Sequence, residues 1–301
     1  MFTAIALVTL AIGIGANTAV FSVVNGGLIK PLPYPNADEL IGVWHTAPGV
    51  GLENAQISPS MFFTYRDENR TFKDFGAWSS GSVTVTGLSE PEQVRSIWVT
   101  DGVLQALGVQ PVLGRWFSRD DDTPGTPDTI MVTHGYWQRR LGGDRAVIGR
   151  TLTVDGKLQT IIGVMPAGFS FLNVLNADLI LPHRFDRERV HLGNFSYQAL
   201  ARLRPGMTVD QANADVARML PIWLNGWPAP LGADRKLFES ARIGAALRPL
   251  KRDVVGDVGD VLWVLMGTIA VVLLIACANV ANLLLVRVEG RRLELATRAG
   301  V

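Results

Sequence analysis

The residues best suited to acid–base or metal chemistry are four histidines, His45, His134, His183 and His191. None stands at a His-x-x-x-His or His-Glu-x-x-His spacing, so they read as singly placed core or surface residues and not as ligands. Asp120, Asp121, Asp122 and Asp128 are numerous enough to gather a hard cation, but the run lacks the alternating ligands, central glycine and terminal glutamate of a calcium loop. It reads as a solvated loop. The chain's Gly-Lys pair, Gly156-Lys157, is followed by Leu158 and not by the Ser or Thr of a phosphate-binding loop, so ATP hydrolysis by this chain is not expected. No serine lies in a Gly-x-Ser-x-Gly elbow. The single cysteine, Cys277, excludes intrachain disulfides and Cys-x-x-Cys zinc sites. Trp44, Trp78, Trp98, Trp116 and Trp137 are spread along the chain and read as core or subdomain-interface residues, not as a ligand-stacking platform. The expectation is a non-enzyme with no resident cofactor or metal.

The elements that carry these residues have a distinctive layout. Two charge-free apolar stretches, Phe2 to Val24 and Val261 to Val286, sit at opposite ends of the 301 residues. At about 1.5 Å per helical residue each is long enough to cross a hydrocarbon core of about 30 Å. They account for the mean hydropathy of +0.22 and leave about 230 residues for a domain with a sizeable core. A net charge of +1 argues against nucleic acid as a partner. An N-terminal signal peptide would need a basic leading segment and a small-residue cleavage site, and neither is present, so the first stretch reads as an uncleaved span.

Orientation follows from the cations at the span ends. Arg287, Arg291, Arg292 and Arg298 follow the second stretch, relieved by Glu289 and Glu294, whereas the segment before it, 251–260, has two cations against three acids. That bias places the termini in the cytoplasm and the large domain outside it. In the first span Ala11, Gly15, Ala19, Ser22 and Gly26 share a helical face, which suits close approach of another helix or simply reflects the abundance of small residues in spans. In the second, the amides of Asn279 and Asn282 stand among apolar neighbours, either bonded to another helix or hydrated near the interface.

Between the spans, short alternating runs are interleaved with amphipathic ones. Strands are expected at Glu39 to His45, Val83 to Thr86, Val94 to Val99, Thr129 to Thr133 and Phe195 to Leu203. Thr151 to Val164 reads as a hairpin turning at Asp155-Gly156. Helices are expected at Ser58 to Asp67 with Pro59 in its first position, at Asp101 to Leu107 ended by Gly108, near Tyr136 to Leu141, and at Thr208 to Leu224. Without regular βαβ alternation this predicts an α+β domain of two subdomains, with a seam near Arg115 to Asp128 or Pro182 to Gly193.

The run Leu10-Ala-Ile-Gly-Ile-Gly-Ala-Asn-Thr-Ala-Val-Phe-Ser-Val-Val-Asn25, followed by Leu32-Pro-Tyr-Pro35, resembles the first span of MacB/FtsX-type ABC transporter permeases. Leu274 to Leu285, with Arg291-Arg-Leu-Glu-Leu-Ala-Thr-Arg298 after it, is similar to the family's second transmembrane helix and its cytoplasmic continuation. Gly163-Val-Met-Pro-Ala-Gly-Phe169 and Val132-Thr-His-Gly-Tyr-Trp-Gln-Arg139 resemble parts of the MacB-like periplasmic core domain, and the nearest likeness is to duplicated orphan permeases. The resemblance implies transmembrane helix 1 over 1–29, a periplasmic core over 30–258, transmembrane helix 2 over 259–288 and the start of a cytoplasmic coupling region over 289–301. It further implies a multi-pass inner-membrane permease subunit driven by a separate ABC ATPase that binds the ATP, working in efflux with other permease helices or a second permease copy in the bilayer. Arg291, Arg292, Glu294 and Arg298 would lie on the approach to the ATPase, while Ala11, Gly15, Ala19, Asn279 and Asn282 would pack against other helices. Family members have further spans, so the chain reads as the N-terminal portion of a longer permease. The alternatives are a membrane-anchored sensor or scaffold, for which no cytoplasmic output domain is seen, and a membrane-tethered enzyme, for which no convergent site is seen.

Overall fold

Period-2 alternation, plain in the sequence from Val94 to Val99, governs how the chain folds between its two apolar ends. The computed structural model describes residues 31–255 except 89, 173 and 175, together with 11, 14, 15, 18, 22, 264–275, 277, 278 and 281 in the apolar stretches. Leu32–Val254 make one compact unit, and Met1–Pro31 with Val255–Val301 make another. In chain order the strands of the first unit are β1 (Leu40–Gly42), β2 (His45–Ala47), β3 (Leu52–Ala55), β4 (Phe72–Thr86), β5 (Glu92–Val99), β6 (Leu113–Gly114) and β7 (Thr129–Val132). They continue with β8 (Thr151–Val154), β9 (Lys157–Val164), β10 (Leu179–Pro182), β11 (Gln198–Leu203), β12 (Gly244–Ala245) and β13 (Arg248–Pro249). Its helices are α1 (Pro59–Glu68), α2 (Val103–Leu107), α3 (His134–Leu141), α4 (Val209–Gly226) and α5 (Arg235–Ser240), and α6 (Leu250–Val255) ends it.

Ten strands form one sheet in the order β13-β1-β11-β4-β5-β10-β7-β9-β6, with β8 beside β4 and β9, and β12-β2-β3 form a second. Most pairs are antiparallel; β10 with β5 and β7 with β9 are parallel. Side chains alternate cleanly across the large sheet. Ala199, Ala201 and Leu203 of β11 face one core cluster and Leu200 faces another. Met131, Ile162 and Ile180 join that second cluster, while their neighbours Ile130, Val132, Ile161, Leu179 and Leu181 join a third. Along β4, Phe75 and Ala77 belong to the first cluster, Val83 and Val85 to the third, and Trp78 to the second. Odd positions of one strand share a face, so one face of the sheet carries two separate cores and the other face carries one.

This split is the nearest the fold comes to the two expected subdomains. The suggested seams are not breaks, because Arg184, from the 182–193 stretch, bonds Asp128 and the carbonyls of Asp121, Thr126 and Pro127 in the 115–128 stretch. The expected solvated loop is also corrected there. Asp121 and Asp122 are 4% and 8% exposed; Arg115, Ser118 and Thr129 donors replace water at Asp121, and the Asp101 N–H replaces it at Asp122 Oδ2.

Local chemistry sets the ends of most elements. Ser58 Oγ accepts from Met61 N at 3.2 Å ahead of Pro59, and Thr208 with Gln211 forms a reciprocal capping box. Asp155 and Gly156 take φ of 47° and 76°, the left-handed pair a type I′ turn demands. The strand expected over Glu39 to His45 divides instead. Val43 N still bonds Ala199 O of β11, but at Trp44 the chain turns away, and β2 begins the smaller sheet. The strand expected from Phe195 starts later, at Gln198, because Asn194 takes a left-handed φ of 58°.

Among the described residues no helix is long and apolar enough to cross a membrane. The expected spans fall largely outside those residues; of what is described, Ala11 and Gly15 are helical and exposed, as are most of 264–275. The first core is closed by α1 and α4 over the sheet, with Trp223 fully buried and its Nε1 donating to Ser60 Oγ at 2.8 Å. Trp223→Ala is expected to lower unfolding free energy by about 3–5 kcal/mol, and Trp223→Phe by less than half of that, measured by urea denaturation.

Candidate functional site

Among the described residues no group of three His, Cys, Asp or Glu side chains could hold a metal ion. What the structure builds with most care is the pair of places where the chain enters the domain from its first apolar stretch and leaves it for the second.

The incoming segment is fixed by two side chains. Tyr34 is buried, its hydroxyl donating to Ser170 O at 2.7 Å and accepting from Leu172 N at 2.9 Å. Burial raises the Tyr34 pKa, so this hydroxyl keeps its proton. Arg202 of β11 points toward the face opposite Ala201 and Leu203, and its side chain is 6% exposed. Its Nε donates to Ala106 O at 2.8 Å, Nη1 to Asn36 O at 3.0 Å and Glu39 Oε2 at 2.9 Å, and Nη2 to Pro35 O at 2.7 Å. A buried guanidinium is tolerated only with such a full complement of acceptors, and here they are supplied by the incoming chain and the end of α2.

The outgoing segment is fixed by Asp253 of α6. Its Oδ2 accepts from Trp44 Nε1 at 2.6 Å, and its Oδ1 accepts from Arg248 Nε. Arg248 lies 4.9 Å from the centre of the Trp44 ring and reaches Asn54 Oδ1 at 2.6 Å. Gly42 makes this possible, because a Cβ there would lie 1.6 Å from Asp253 Oδ2. Trp44 is thus partly buried at the bend between β1 and β2, where the expected continuous strand ends.

The two segments meet in one core. Leu32, Tyr34, Leu40, Leu250 and Val254 all pack in the cluster on the single-core face of the sheet, and β1 pairs with both β11 and β13. The chain therefore returns to the place where it entered. Displacing either crossing disturbs packing shared with the other.

The histidines occupy separate sites. His45 is fully buried with Nε2 2.7 Å from Tyr65 Oη, and burial lowers its pKa to about 4. His183 Nε2 lies 2.9 Å from Ser79 Oγ, with its ring stacked 5.0 Å from Phe185, and burial lowers it likewise to about 4. Trp78 and Trp137 are core residues; Trp98 and Trp116 are half-buried, the latter donating Nε1 to Val109 O at 2.9 Å. A Cβ added at Gly15 would meet nothing within 4 Å. Ala19, Asn279, Asn282, Arg291, Arg292, Glu294 and Arg298 lie outside the described residues. Sequence reading missed Arg202, Tyr34 and Asp253. A signal for the first was present, since Arg202 stands in register with Leu200 on an inward face of Gln198-Ala-Leu-Ala-Arg-Leu203.

Residues 3–219 match the model of the MacB-like periplasmic core domain. The chain belongs to that family. No curated protein matches it. Among solved structures, a domain of a Porphyromonas gingivalis protein named as a permease is 19% identical, with a TM-score of 0.54 over 72% of this chain and 92% of that one. The periplasmic region of MacB from Actinobacillus actinomycetemcomitans is 9% identical, with a TM-score of 0.50 over 72% and 91% of the two chains. The extracellular domain of the noncanonic ABC-type transporter YknZ from Gram-positive bacteria gives 15% and 0.45, covering 61% and 93%. The mixed α/β fold is thus that of MacB-like periplasmic domains.

Two outcomes follow for the MacB-like domain. Gly42→Ala is expected to expel Asp253 from its site and cost about 1–3 kcal/mol in thermal unfolding, with a shift in tryptophan emission from Trp44. The lowered imidazole pKa values make the stability contributions of His45 and His183 complete above pH 6.5 and lost as pH falls toward 4. Each amounts to roughly 3 kcal/mol, so replacing either with a neutral residue should flatten stability-versus-pH curves over that interval.

Proposed function

We propose that this chain is the membrane-bound permease component of an ABC-type transporter, in which a separate ATPase drives motion of the periplasmic domain for export. The observation that carries the reading is the convergence of the incoming and outgoing segments on one buried cluster through Tyr34, Arg202, Trp44 and Asp253. A domain that only had to be tethered needs no such grip at both crossings, whereas one moved through its crossings does. Family membership supports the same reading. So does the helical run 264–275, which exposes Val264, Leu265, Val271, Val272, Leu274 and Ile275 without a charged residue among them, a surface suited to lipid or to other apolar helices.

In this reading the bilayer holds both apolar stretches, the termini are cytoplasmic, and the domain acts outside the inner membrane. ATP binds the partner, and this chain contributes neither a catalytic group nor a cofactor site. Arg291, Arg292, Glu294 and Arg298 would face the ATPase, and Ala11, Gly15, Ala19, Asn279 and Asn282 would meet other permease helices or a second copy.

The test is affinity purification of the full-length protein from its native membrane, followed by reconstitution. An ABC-type ATPase is expected to copurify, and Arg202→Ala combined with Asp253→Ala is expected to lower transport several-fold while ATP hydrolysis persists. Recovery of a signalling enzyme in place of an ATPase would sink the proposal.

A further inference from the structure

The loop between residues 115 and 128 is anchored in three places, and two of the anchors are ordinary ion pairs. Arg115 holds Asp121 through Nη1–Oδ2 at 2.6 Å and Nη2–Oδ1 at 3.1 Å. Arg184 holds Asp128 Oδ1 at 2.5 Å and three loop carbonyls. The third anchor has no cation in it. Asp122 is 8% exposed, and its Oδ2 accepts the backbone N–H of Asp101 at the turn between β5 and α2. Its Oδ1 is buried without a donor, and so is Oδ1 of Asp101, whose side chain faces it.

Two ionised carboxylates facing each other away from water would leave both orphan oxygens unsatisfied and repelling. The charges acting on Asp122 are those of Asp101 and Asp121, both negative. Arg115 and Arg184, the cations of the adjoining segments, are already bonded to Asp121 and Asp128.

We propose that Asp122 keeps its proton at neutral pH and donates it in a hydrogen bond to Asp101, and that this contact latches the 115–128 loop to the β5–α2 turn. With Asp122 neutral, its O–H donates to Asp101 and the two orphan acceptors become a donor and an acceptor. Burial, opposed by the Asp101 N–H and reinforced by the two neighbouring carboxylates, pushes Asp122 up to about 9. The latch sits at the start of α2, and Ala106 O near the other end of that helix accepts from Arg202. The protonation state of one carboxyl thereby bears on the grip around the incoming segment. The latch stands independently of the transport reading, because it concerns one contact inside the domain.

The sign of the effect is definite. The folded chain retains a proton that the unfolded chain releases above about pH 4, so this contribution to stability is complete at low pH and lost as pH rises through about 9. Thermal unfolding of the full-length chain in mild detergent, compared with Asp122→Asn between about pH 5 and pH 9, reads it directly. The amide keeps a donor for Asp101 and an acceptor for its N–H, so the variant's Tm should exceed that of the original chain by a margin growing to about 5 °C or more at the alkaline end. Infrared spectra of the unsubstituted chain should show the carbonyl stretch of a buried protonated carboxylic acid at neutral pH, disappearing above about pH 9. Parallel Tm curves for the two proteins, or no protonated-acid band at neutral pH, would overturn the latch. So would a rise in Tm with calcium chloride that Asp122→Asn abolishes, since a cation would then occupy the place of the proton.

Discussion

Burial of one sheet on both faces is the constraint on which the rest of this domain depends. Where both faces are covered, strands cannot send polar side chains to water on alternate residues, so Ile130-Met-Val132 and Leu179-Ile-Leu181 are apolar at every position, while the outer stretches of β4 and β5 still expose Ser80, Ser82, Gln93 and Arg95. Covering both faces takes α1 and α4 on one side and α2, with the two chain crossings, on the other. The crossings are thus part of the core and not appendages to it. A charge that enters such a layer must bring all its partners with it, and Arg202 does so with five N–H groups and four carbonyl or carboxylate acceptors from distant segments.

Local signals were enough for most elements. Pro59 behind Ser58, Thr208 with Gln211, and Asp155-Gly156 each act within a few residues, and those helices and that hairpin form where the sequence reading put them. The strand read over Glu39 to His45 failed at a specific point. Trp44 ends it by bonding Asp253, 209 residues later, and nothing near Trp44 announces that partner. The aspartate run failed for the same reason. Asp120-Asp-Asp122 looks like a surface loop until Ser118, Thr129 and Asp101 are brought against it, and only the fold does that. The family was legible from short motifs. The clasps were not, because they are made of pairings across the length of the chain.

The structure also separates two kinds of buried polar residue that composition treats alike. Asp121 is held to about 2, chiefly by Arg115 and Ser118 acting against burial, so it stays charged. Asp122, the next residue, is pushed the opposite way chiefly by burial, with the Asp101 and Asp121 carboxylates adding to it. One peptide unit divides an ion-pair anchor from a neutral one. His45 and His183 belong to the neutral kind, buried beside hydroxyls instead of carboxylates.

The pairing of β1 with β13 sets how the domain responds to load. Leu40 begins β1 after the incoming crossing, and Pro249 ends β13 before the outgoing one, with Ile41 opposite Pro249 and Gly42 opposite Arg248. In an antiparallel pair these two ends lie side by side. Drawing the crossings apart therefore peels the pair one hydrogen bond at a time, the compliant direction for a β ladder. Drawing both the same way loads the shared core and the Arg202 and Asp253 grips in parallel, the stiff direction. The domain is mechanically anisotropic at its attachment: rigid toward a common pull, and yielding toward separation.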